Sequence, residues 1–186
     1  VAPLNCLPKT AWPPTYSCAN VRQARLAVEK SYYTELLLES SQKLQQSQTE
    51  LDCLRMTAEQ LSRLFDRPVL YALSRGDAEL SFRAEPPEAS PLLSQLGLEE
   101  LGVAKWVQKN NRHAGATTHT LPDSKWLFLS VRGTRGVMGI VGVPIAGYRI
   151  PDAFEKNLMI AILSQCGLSQ ERIRLQDAHA SAAPPS

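Results

Sequence analysis

Long apolar runs, paired cysteines and one-sided charge are all missing from this 186-residue chain. The longest mostly apolar stretch, Val137 to Gly147, is broken by Gly139, Gly142 and Pro144, so no segment reads as a membrane span. The four cysteines, Cys6, Cys18, Cys53 and Cys166, stand far apart with no CxxC pair. That excludes the dense disulfide framework of a small secreted domain and points to reduced thiols, with Cys53 and Cys166 as small core filling on helix faces. Twenty basic against eighteen acidic residues give a formal net charge of +2, so neither a basic field for nucleic acid nor an acidic solvating tail is present.

The motifs of catalysis are missing as well. His113, His119 and His179 show no HExxH spacing and no neighbouring cysteine pair, so no metal site is expected, and His113 and His119 read as a solvent-exposed pair flanking a loop. There is no GxSxG elbow and no GxxxxGK[ST] loop; the glycines at 133, 136 and 139 fall in a hairpin rather than between a strand and a helix. No catalytic residue and no cofactor is expected.

What is present divides the chain. Residues 1–21 hold Pro3, Pro8, Pro13 and Pro14 without helical or strand period, and their start lacks the basic and apolar regions of a signal peptide, which predicts a disordered leader. Residues 178–186 are small and proline-ended and predict a disordered tail. Between Arg22 and Asp66 there is neither proline nor glycine, and Leu37, Leu44, Leu51, Ala58 and Phe65 recur every seven residues, with Leu54 and Leu61 as companions and Ser40 and Ser47 in the weaker first half. One long helix, or two nearly continuous ones, would extend about 60 Å at 1.5 Å per residue. The stretch 22–50 therefore reads as a coiled-coil-like connector that pairs two copies through Leu37, Leu44 and Leu51. The alternative is a single surface helix packing on its own domain.

Residues 51–177 read as the folded domain. Val69–Ser74 and Ala78–Arg83 predict a hairpin across Arg75-Gly76-Asp77, and a proline-bearing connection follows at 85–91. Leu98–Asn110 predicts a short helix with Leu101, Ala104, Trp106 and Val107 buried. Trp126–Arg132 and Gly136–Val143 predict a second hairpin, and Asp152 to Asp177 a long helix with Phe154, Leu158, Ile162 and Cys166 on one side. This order is an α+β design, an antiparallel sheet with long N- and C-terminal helices together on one face.

One local charge asymmetry remains. Residues 77–100 carry six acids against Arg83, while Lys105, Lys109, Arg112, Lys125, Arg132 and Arg135 stand against Asp123 in 105–135. The two blocks either pair weakly at the surface, at about 0 to 1 kcal/mol per pair, or the basic one builds a site. In the second case Lys105, Arg112 and Lys125, with the hydroxyls of Thr117, Thr118 and Thr120, surround a small anionic ligand between the short helix and the central strand, where Trp106 or Trp126 stacks on a base. His119 belongs to the same hydroxyl-rich loop.

At this loop a family resemblance enters. Trp106-Val107, Asn110-Asn111, His113-Ala114-Gly115-Ala116-Thr117-Thr118, Thr120-Leu121-Pro122, Ser124-Lys125 and Leu127-Phe128-Leu129 resemble the GAF-domain segment of KdpD-type potassium-sensing histidine kinases. The likeness extends through Tyr33–Glu39 and Ser41–Leu44 and through Asp152–Glu155, covering about residues 22–175; His119 stands where that family has Asp or Asn, and Ser130 where it often has proline. The resemblance implies a GAF-like fold and a non-catalytic sensor or signal-relay domain of a two-component potassium sensor kinase. It implies the cytoplasmic portion of a membrane-anchored bacterial protein, with adjoining membrane and kinase domains as partners. The second reading is a GAF-type domain that binds a nucleotide or another anion, with Lys105, Trp106, Arg112, Thr117, Thr118, His119 and Lys125 as its site.

Overall fold

The heptad-patterned stretch forms two helices, α1 (Cys18–Gln45) and α2 (Glu50–Phe65), in a computed structural model that describes residues 18–76 and 78–182. The expected leader up to residue 17 and the end of the expected tail lie outside the described residues. Helix α1 starts inside the span expected as leader, and the last helix runs on to Ala182, past the expected end at 177. The chain divides into two units, 1–35 and 36–186, and α1 runs through the division.

Chemistry local to residues 47–52 explains the break. Thr49 has extended backbone, and its hydroxyl accepts from the Asp52 amide at 3.1 Å while Glu50 and Asp52 place negative charge in the first turn of α2. The carbonyls at the end of α1 are met from far along the chain: Arg172 Nη2 donates to Leu44 O, Gln45 O and Ser47 O at 3.4 to 3.5 Å. The break selects the second form of the expectation, two nearly continuous helices. Leu44, a central seam position, is only 1% exposed within the single chain, and Ser40 and Ser47 are buried with it, so this part of the heptad faces the chain's own core.

Strands β1 (Val69–Leu73), β2 (Arg83–Glu85), β3 (Ala114–Gly115), β4 (Trp126–Gly133) and β5 (Gly136–Pro144) form one antiparallel sheet in the order β2-β1-β5-β4-β3. The expected second strand at 78–83 is displaced: β1 pairs instead with 83–85, Tyr71 opposite Arg83 and Val69 opposite Glu85. Ahead of it, Gln108 Nε2 donates to Gly76 O at 2.7 Å, with Ala78 O and Ser74 Oγ within 3.3 Å, so a side chain satisfies backbone groups that a ladder would have used. A 3-10 segment, Pro87–Gln95, replaces the irregular connection and leads to α3 (Leu98–Asn110). The second hairpin falls where the sequence puts it, with a bulge between Val131 and Arg132.

Helix α4 (Ala153–Ala182) and α2 pack on each other and on one face of the sheet; α3 covers the other. Both faces are thus buried, which is why β4 and β5 read as near-continuous apolar runs. Toward α3, Leu70, Ala72, Trp126, Phe128 and Ile140 meet Val103, Ala104 and Val107, with Phe82, Leu92, Leu93 and Trp106 closing over them. Toward α4 lie Leu158, Met159, Ile162, Leu163 and Cys166; Phe154, expected among them, is instead 41% exposed. Gly167 lets α4 approach β4, since a Cβ there would stand 2.1 Å from Arg132 O. Among the described residues no helix is long and apolar enough to cross a membrane.

Candidate functional site

The threonine-rich loop between β3 and β4 is held by its own polar groups. Gly115, at φ 99°, donates to Thr120 O at 2.8 Å and leaves no room for a Cβ, which would stand 2.1 Å from Trp126 O. The Thr118 hydroxyl lies 2.7 Å from Gly115 O and 2.8 Å from Thr120 O and accepts from the Thr120 amide at 3.2 Å. Buried Glu100 of α3 closes the far end, accepting from the Lys125 amide at 3.1 Å and from Ser124 Oγ. These bonds explain the residue types: short hydroxyl side chains replace a ladder where the chain turns through positive φ at Thr117 and Leu121.

The seven expected ligand residues are not gathered around one space. Thr117 and Thr118 line a small cavity of about 90 Å³ together with His113, Leu127, Leu129, Lys156, Met159 and Ile160, on the α4 side of the sheet. Lys105, Arg112, His119 and Lys125 are exposed, and none of them lines that cavity. Trp106 is half-buried against the core under α3. Trp126, the other stacking candidate, is only 3% exposed and lies 6.4 Å from Phe128, centroid to centroid, so it has no free face for a base. The space between α3 and the sheet, where the reading of the basic block put a ligand, holds Phe82, Leu92, Leu93, Trp106 and Phe128.

His113 corrects another expectation, since it is not part of an exposed pair. Asn111 ends α3 in the left-handed conformation and turns the chain inward, and His113 Nδ1 accepts from the Ser130 amide at 3.2 Å. Burial, with Arg132 nearby, pushes the imidazole down to about 4, so it stays neutral with its proton on Nε2. Lys156, which the sequence did not single out, reaches Thr117 O at 3.4 Å and shuts the cavity from α4. The space is too small for a nucleotide, since ligand pockets run to about 300–1,000 Å³.

Cys53 and Cys166 are fully buried, and Cys166 is pushed up to about 12 by its burial. Such a thiol holds its proton at neutral pH and is a poor nucleophile. Among the described residues no group of three or more His, Cys, Asp or Glu is placed to hold a metal ion.

No profile of a known protein family matches the chain. Its fold is similar to that of the GAF domain of the potassium sensor histidine kinase KdpD from Escherichia coli, with a TM-score of 0.61 and 18% identity over 79% of this chain and 99% of that one. It is also similar to the GAF domain of the Acinetobacter phosphoenolpyruvate-protein phosphotransferase (TM-score 0.52, 16% identity, 82% of this chain and 96% of that one). A third likeness is to residues 122 to 287 of a methyl-accepting chemotaxis protein (TM-score 0.57, 17% identity, 75% and 99%). A five-stranded antiparallel sheet in the order 2-1-5-4-3, with α2 and α4 on one face and α3 on the other, gives this chain the GAF-like α+β fold.

Proposed function

We propose that the chain is a non-catalytic sensor or signal-relay domain of a two-component histidine kinase, of the kind represented by the E. coli potassium sensor KdpD. The observation that carries the reading is helix α4. It packs on the sheet as far as Ile173, its last buried position among the described residues, and continues as a helix to Ala182, with residues 175–180 exposed. At 1.5 Å per residue its 30 residues extend about 45 Å, more than the sheet needs for cover. A rigid rod anchored in a sensory core at one end and free at the other suits transmission of small shifts to a following module. In this reading the chain is the cytoplasmic portion of a membrane-anchored protein, and phosphotransfer resides in other domains.

Two copies pair in the same proposal, through a surface different from the heptad seam. Leu44 is taken up by the core, whereas Phe154, Leu168 and Leu175 of α4 are 41%, 68% and 60% exposed at multiples of seven residues. The test is a chimera in which residues 18–182 replace the GAF domain of the E. coli potassium sensor histidine kinase. Signal-dependent autophosphorylation that survives the exchange, and is lost with Leu168→Lys plus Leu175→Lys, supports the relay. Output that is the same with the domain exchanged or deleted overturns it.

A further inference from the structure

We propose that the chain binds a small phosphorylated, hydrophilic molecule in a basic groove beside the β4–β5 hairpin, at the opposite end of β4 from Lys125. The groove has a volume of about 320 Å³, within the range of small-molecule sites. Three cations from unrelated parts of the chain line it: Lys109 at the end of α3, Arg135 in the hairpin turn and Arg174 of α4. Among the described residues no carboxylate lines this groove, and Val137 is the one apolar side chain there. A planar base or an acyl chain would find no wall there. An oxyanion with a polar remainder would.

The fold engages each of these cations and so fixes where the charge stands. Lys109 answers the carbonyl end of α3, the ordinary service of a cation in a last helical turn. Arg174 is held by Glu50, its Nη2 at 3.4 Å from Oε2 and its Nε bonded to Oε1, which fixes the guanidinium in place across α2 and α4. Arg135 is exposed, and Glu171 of α4 accepts from the Thr134 amide, its carboxyl held low by Thr134 first and by the Arg174 and Arg135 charges after it. The walls are set before any ligand arrives: Gln108 ties Ser74, Gly76 and Ala78 together, so little ordering cost is left for binding. The basic block of 105–135 thus splits, with Lys109 and Arg135 joined here by an arginine from far along the chain, while Arg112 and Lys125 stand elsewhere.

Pyrophosphate is the probe, titrated by calorimetry and by amide chemical shifts into the whole chain at low salt, where screening is weakest. Saturable binding is expected to perturb the amides of Gly76, Gln108 and Gly136. Lys109→Ala and Arg135→Ala are each expected to weaken it about three- to tenfold. The two variants together should abolish saturation, and Arg112→Ala with Lys125→Ala should leave the affinity unchanged. The proposal is overturned if no saturation is reached by about 10 mM, if the Lys109 and Arg135 variants bind as the parent does, or if the perturbed amides centre on residues 113–125. The relay chimera and this titration fail independently of each other.

Discussion

His113 makes stability depend on pH in a way that one substitution removes. Its imidazole titrates near 6.5 when free and about 4 in the fold, because burial and the Arg132 charge disfavour the protonated form. The unfolded chain therefore binds the extra proton between those values and the folded chain does not. The sign follows: the contribution is fully present above pH 6.5 and is lost as the pH falls toward 4. With those two values the loss from this group is about 2 kcal/mol by pH 5 and about 3 kcal/mol by pH 4. Protonation would also oblige Nδ1 to give up its bond from the Ser130 amide, inside a cavity whose other cation is Lys156. His113→Asn keeps an acceptor for that amide and cannot titrate. Urea unfolding of parent and variant at pH 7, 6, 5 and 4.5 is the assay, and the quantity to follow is the difference between the two stabilities. Carboxylates common to both proteins cancel in it, so the difference is expected to move by about 2 kcal/mol toward the variant on acidification. Parallel pH curves would refute the burial and the bond together.

Three further outcomes are expected. Gly167→Ala drives a methyl group to 2.1 Å from Arg132 O, so α4 must lift from β4, and thermal unfolding should show a loss of at least about 2 kcal/mol. Thr49→Ala removes the hydroxyl that caps α2 and should cost about 1 kcal/mol in chemical denaturation with no change of fold by circular dichroism. Leu168→Lys with Leu175→Lys should convert a dimer into a monomer by light scattering at about 100 μM, a concentration well above a micromolar dissociation constant, because both positions are exposed; a parent protein already monomeric there would remove the proposed pairing.

Where local chemistry specifies structure, the sequence was legible. Trp126–Arg132 and Gly136–Val143 are apolar runs around Gly133-Thr134-Arg135, and strands β4 and β5 lie there. Leu98–Asn110 is bounded by Gly97 and by Asn111, which takes the left-handed cap, and the helix has those limits. The α1–α2 break has a local signal as well, Thr49 as cap with Asp52 at the third helical position, whereas the seven-residue leucine repeat by itself leaves one helix or two open. The strand at 78–83 was misplaced because alternation cannot reveal that Gln108, thirty residues away, takes up the backbone of 76 and 78.

The sequence by itself determined the α+β class, the second hairpin, α3 and the amphipathic last helix, because periodicity and turn chemistry act over a few residues and need no partner. Which side of each element is used was decided only by the tertiary structure. Leucine repeats do not say whether their stripe meets a second chain or its own sheet, and the burial of Leu44 shows that this part met its own core. Histidine in a loop does not say whether it is wet, and only the Ser130 amide and the closure by α4 made His113 a half-buried neutral imidazole. Charge counting placed six cations in one block, yet their partition depends on where α3, the hairpin and α4 end in space, and that is set by packing between segments far apart in the chain.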